Sequence, residues 1–174
     1  EKVILNELGS CKGIIQSDGY SPYRKLESDA YPHITRIPCL QHIKRKFIDC
    51  GEDEPDAKRI VELINTLYQN EHKHKIGVDG WTVEQNLVHR KKYAPDILGE
   101  IKDVLDDIEE RGDLLPKSEL KEAITYLRNE WNAVVDIFNY GDTYLDNNIV
   151  ERMNRYISLS RKNSLFFGSH KGAE

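Results

Sequence analysis

The sequence is short of the features that assign a protein quickly. None of its apolar runs approaches the ~20 residues needed to cross a bilayer, which excludes a spanning helix. Its three cysteines, Cys11, Cys39 and Cys50, form an odd set without a paired framework. A disulfide scaffold is therefore excluded and a reducing, cytoplasmic setting is favoured. The opening residues, EKVILNELGS, have no basic stretch leading to an apolar one and a small-residue cleavage site, so they are no secretory signal. They also lack an initiator Met, from which a processed product or a piece of a longer protein is expected. Glycine-rich phosphate loops, nucleophile elbows, repeats and low-complexity tracts are all missing.

What remains is 174 residues, 39% hydrophobic and 32% charged, which suits one soluble globular core with room for an insertion. The net charge of −5 argues against a general nucleic-acid binder. Its distribution qualifies that. Residues 96–119 hold nine acidic and three basic side chains, whereas 147–174 hold five Lys or Arg against two Glu. A second basic cluster lies in RIPCLQHIKRKF. Nucleic acid, if bound, is expected on those two segments.

The hydrophobic pattern gives the organisation. KGIIQSDGY reads as a buried strand stopping at Asp18, and HITRIPC as a second strand ended by Pro38. LQHIKRKFIDC then places Leu40, Ile43 and Phe47 on one helical face. Strand, helix, strand, helix predicts a parallel α/β unit over residues 1–53. Residues 54–140 read as all-helical. Pro55 opens the first helix, and Thr82 with Gln85 forms a capping box for a helix to about Tyr93. Pro95 opens another, stopped by Gly112, and Ser118 caps a fourth. Residues 141–174 return through a turn to a last helix. Its stripe of Ile149, Val150, Met153, Tyr156 and Ile157 is expected to pack it, leaving Glu151 on the opposite face.

Two carboxylates stand out. Asp18 follows the end of a parallel strand, where open α/β sheets bind ligands, although Asp-Gly is also ordinary turn chemistry. Glu151 could be a surface residue paired with Arg155 at i+4, an arrangement worth ~0.3–0.5 kcal/mol. Its neighbours give it another reading. Asn147 and Asn148 exceed what one helix cap requires, and Arg161, Lys162 and Asn163 suit phosphate. Cys39 and His42 have zinc-like spacing, with His33 and Cys50 as completing ligands, but Cys39 reads better as a small buried hydrophobe. Phe166 and Phe167 could stack on bases or anchor the tail.

The segments GIIQSDGYSPY, IPCLQHIKRKF, LLPKSELKEAITYLRNEW and YLDNNIVERMNRYISLSRKNSLFFGSHKGAE resemble, in order and spacing, the transposase of the insertion sequence 66 family. The family's patterns run Asp-Gly-Tyr, then Cys-x-x-His-x-Arg-Arg/Lys, then Pro-x-Ser before a helix with Tyr and Trp. They end with Asp-Asn-Asn-x-x-Glu-Arg leading to Gly-Arg-Lys-Asn and Gly-Ser. Leu40 replaces a Trp of the pattern, and Ser160 replaces the Gly before Arg-Lys-Asn.

The resemblance implies a partial RNase H-like core, two parallel strands plus helices, carrying a large all-helical insertion. It implies a bacterial, cytoplasmic DDE recombinase that cuts and joins DNA using two Mg²⁺ or Mn²⁺ ions. Asp18 would be its second catalytic, metal-binding carboxylate and Glu151 its third, the first Asp lying upstream of this sequence. Arg152, Arg155, Arg161, Lys162 and Asn163, with Lys44, Arg45 and Lys46, would meet DNA phosphates. Asn147, Asn148, Cys39 and His42 would shape the site. Without the first Asp the chain alone is expected to be inactive, and its unpaired strand edge invites self-association. A catalytically dead DNA-binding or regulatory derivative is the alternative.

Overall fold

A computed structural model describes residues 6–19 and 21–163. Two parallel strands, β1 (Gly13–Ser17) and β2 (Ile34–Pro38), pair in register from Gly13 opposite Ile34 to Ser17 opposite Pro38. Parallel strands need a crossover, and residues 18–33 provide it through a helical turn at Ser21–Arg24 and a 3₁₀ turn at Lys25–Glu27. Five longer helices follow: α1 (Leu40–Asp49), α2 (Pro55–Glu71), α3 (Val83–Arg111), α4 (Glu119–Ile137) and α5 (Asn148–Asn163).

One hydrophobic cluster runs from Ile37 in β2 through α1 to α4 and ends at Leu145. Helix α1 buries Leu40, Ile43 and Phe47, the i, i+3, i+7 face its sequence shows. It lies against α2 and α4, and α4 also covers β2. The helical segment thus shares its core with the sheet.

Helix starts and stops follow local chemistry. Thr82 and Gln85 form the reciprocal capping box of α3, Ser118 accepts from the Lys121 amide, and Gly112 takes the left-handed conformation (φ 65°) that closes α3. Pro95 corrects the expected boundary. It lies inside a single 29-residue helix rather than opening a new one. An interior Pro costs about 3 kcal/mol, chiefly by stranding the carbonyl four residues back. Lys91 and Pro95 are both exposed, so the break lies on the solvent side of the helix. Ile97, Leu98, Ile101, Leu105 and Ile108 continue the buried stripe, and each is worth roughly 1.5–3 kcal/mol on burial. Packing wins.

The last helix brings a second correction. The stripe expected to pack α5 is exposed: Ile149 by 50%, Val150 by 57%, Met153 by 65% and Tyr156 by 76%. The side chain of Ile157 lies outside the described residues. Helix α5 meets the body through its first turn, and beyond it no described element receives the apolar face.

Candidate functional site

The carboxyl end of β1 is fixed from both sides. The Ser17 carbonyl accepts the Cys39 amide at 3.1 Å, extending the ladder one residue past β2. The Ser17 hydroxyl donates to the Asp18 carbonyl and receives Arg36 Nη1. Asp18 follows, half-buried. Gly19 lies so close to Tyr126 of α4 that a Cβ there would stand 2.1 Å from the tyrosine oxygen. Burial first, then the charges of Glu130 and Asp18, push the Tyr126 hydroxyl pKa up.

Glu151 comes from the other end of the chain. Gln16 of β1 donates from Nε2 to the Tyr144 carbonyl at 2.8 Å, and the Leu40 amide donates to the Leu145 carbonyl at 2.9 Å. These bonds lace residues 144–145 to the strand ends just before α5 begins. Glu151 Oε1 then stands 3.6 Å from His42 Nε2 in the first turn of α1. Asp18 thus follows the end of β1, and Glu151 stands beside the first turn of the helix that follows β2. Among the described residues no three or more His, Cys, Asp or Glu side chains group to hold a metal ion.

The asparagines play a different part from the expected cap. Asp146 Oδ1 accepts the Asn148 amide at 3.0 Å, so the aspartate serves the helix start. Asn147 Oδ1 is buried without a hydrogen-bond partner. Cys39 is buried at the same junction, and desolvation raises its thiol pKa. The other residues weighed for zinc are engaged elsewhere: His33 Nε2 lies 2.9 Å from the Gly9 carbonyl, and Cys50 Sγ bonds the Lys46 carbonyl.

On α1, Lys44 is half-buried while Arg45 and Lys46 are exposed, with Lys46 Nζ 5.1 Å above the Tyr126 ring. Arg152 and Arg155 are exposed on α5. The side chains of Arg161, Lys162 and Asn163, and all of Phe166 and Phe167, lie outside the described residues.

Two buried ion pairs hold these elements, and the sequence reading missed both. Glu130 on α4, 0% exposed, pairs with Arg36 of β2 and with Arg24 at 2.7 Å, and Arg36 also meets Glu27. Arg90 on α3 is fully buried against Glu71 of α2, and it donates to the carbonyls of Ile137 and Thr143. That grip sets the turn from which α5 departs. Burial alone would raise the Glu71 carboxyl pKa; hydrogen bonds and charge from Arg90, with the Tyr93 hydroxyl, outweigh it and hold the pKa low. A signal existed: Arg90 and Glu130 lie on the apolar stripes of their helices, and Arg36, two residues on from Ile34, shares its face of the strand. A charge at a core position asks for a partner.

Comparison with known proteins adds a family. The model for the Transposase IS66 family matches residues 1–174. The chain is similar to three proteins of Sinorhizobium fredii (strain NBRC 101917 / NGR234). It is 31% identical to uncharacterized protein y4jD over 97% of this chain and 33% of that protein. It is 29% identical to uncharacterized protein y4qI over 97% and 32% respectively. For uncharacterized protein y4hP the identity is 27%, over 93% and 31%. The chain thus spans about a third of the length of these curated relatives. No solved structure matches it.

Proposed function

The chain belongs to the IS66 family of transposases, and on that premise we propose that it supplies the second and third carboxylates, Asp18 and Glu151, of an RNase H-like site for metal-dependent cleavage and transfer of DNA strands. One observation carries the reading. Asp18 follows the carboxyl end of β1, where open α/β folds bind their ligands, and Glu151 stands 3.6 Å from His42 in the helix that leaves the carboxyl end of β2.

The donors suit a hard cation in kind, since Mg²⁺ and Mn²⁺ take carboxylate oxygen and retain water. In number they fall short, because no three-ligand group forms among the described residues. When bound, a pair of such ions would stabilise the attacking and leaving oxygens of an in-line phosphoryl displacement. The chain's own residues prepare for substrate. Arg152 and Arg155 offer phosphate contacts on the helix that carries Glu151, and Arg45 and Lys46 offer them on α1. His42 orients the Glu151 carboxylate, and the Arg36–Ser17 bond fixes the strand end bearing Asp18.

Mn²⁺ binding followed by electron paramagnetic resonance tests this. The unaltered chain binds weakly, Asp18→Asn and Glu151→Gln each lower affinity, and the double variant abolishes it. Unchanged affinity in the double variant overturns the reading. The exposed cations of α1 and α5 also fit a second reading, a DNA-binding derivative without chemistry. Salt-sensitive duplex binding that ignores both Glu151→Gln and Mn²⁺ would select it.

A further inference from the structure

A cleft of about 560 Å³ opens near the start of the helix that carries Glu151. One wall is the end of α2 and the loop after it, with His72, His74 and Lys75; the other is the start of α5, with Asn148 and Arg152. We propose that this cleft binds one unpaired strand of DNA, with Lys75 and Arg152 on its phosphates and the His74 ring beneath a base. The inference rests on the reading of the chain as DNA-processing, which it deepens by naming a site for the strand.

Charge comes first. Two carboxylates line the cleft, and the protein already uses both: Glu71 is paired with Arg90 and bonded by Tyr93, and Asp146 accepts the Asn148 amide. Lys75 and Arg152 are exposed on facing walls, so their charge is available to an anion. Arg152 stands on the same helix as Glu151.

Shape comes second. A cleft of this size falls in the ~300–1,000 Å³ range that holds a small ligand, hence a nucleotide or so and not a duplex. His74 lies flat on Trp81, with centroids 3.8 Å apart and planes 13° apart, and remains exposed. A braced ring beside two cations is the pairing that single-strand sites use, stacking for the base and charge for the backbone.

Rigidity comes third. The loop closes on itself through Gly77 amide to Trp81 carbonyl and Val78 amide to Lys75 carbonyl. Trp81 Nε1 donates to Asn86 Oδ1, and Asn86 Nδ2 donates to the Gly141 carbonyl in the turn before α5. Asn86 is buried and joins the two walls. Gly141 permits the approach, since a Cβ there would stand 2.1 Å from the Val83 carbonyl oxygen. The cleft is therefore preformed, and little ordering is lost on binding.

Fluorescence anisotropy of the chain with a labelled oligothymidylate of about ten nucleotides, and with a duplex of equal length, tests the proposal. The single strand binds more tightly. Lys75→Glu with Arg152→Glu weakens it at least ~10-fold and lowers the salt slope by about 1.4. His74→Ala weakens it roughly 5-fold or more. Both charge changes are at exposed positions, so folding is preserved. Lys58→Glu, exposed near the far end of α2, leaves affinity unchanged. Preference for duplex, no binding at low salt, or equal losses in Lys58→Glu and the double variant overturns the proposal. Mn²⁺ affinity separates the two readings: it survives Lys75→Gln, which weakens strand binding, and falls in Asp18→Asn.

Discussion

The helical body and the last helix carry the same kind of apolar stripe, and the fold treats them oppositely. In α3, Ile97, Leu98, Ile101, Leu105 and Ile108 are buried against the rest of the core, and Arg90 at the head of that stripe is buried with its own counter-charge. In α5, Ile149, Val150, Met153 and Tyr156 face outward, and the helix meets the body through Glu151 and the turn before it. Amphipathic spacing states that a helix has a face to bury; it does not state that the surface receiving it lies in the same chain. The body supplies its own partners. The helix that carries the proposed catalytic glutamate does not.

The contrast breaks most sharply at the buried charges. Glu130→Ala leaves Arg36 buried beside one partly exposed glutamate, and loss of one partner from a buried pair costs about 3–5 kcal/mol. Urea unfolding should therefore show the body failing at that single position. A loss under ~1 kcal/mol would mean that water or another group reaches Arg36.

Acid sharpens the comparison next. The folded Glu71 carboxyl has a pKa below its ordinary value, so the unfolded chain takes up the proton first as pH falls. Its contribution to stability is complete above the ordinary carboxylate range and disappears as pH drops through the lowered value. Denaturation midpoints measured downward from about pH 6 should decline, and Glu71→Gln should flatten part of that decline. Parallel curves for the two proteins would assign the Arg90 grip no role in the pH response.

Much of this was legible beforehand, for local reasons. The two strands, the capping box at Thr82, the glycine stop at Gly112 and the edge position of Asp18 follow from side-chain alternation and backbone chemistry within a few residues. Pro95 misled because its cost is local while its compensation, the packing of α3, is tertiary. Arg36, Arg90 and Glu130 were passed over because each reads as surface until its partner from another element is known. At the candidate site it was the family resemblance that put Asp18 and Glu151 forward as a pair. The sequence could not show the cleft, whose walls join only through Asn86 and Gly141.

The smallest expected effect is the most direct measure of the contrast. Leu105→Ala and Met153→Ala remove comparable apolar side chains from the stripes of two helices. Leu105 is 0% exposed, so its loss should cost roughly 2–5 kcal/mol by transfer and cavity formation together. Met153 is 65% exposed, so little leaves water when the helix folds, and its loss should stay within ~0.5 kcal/mol. Chemical denaturation of both variants beside the unaltered chain gives the two numbers. If Met153→Ala instead costs more than ~1 kcal/mol, and the cost grows with protein concentration, a second copy is covering the stripe and the exposure of α5 describes only the separate chain.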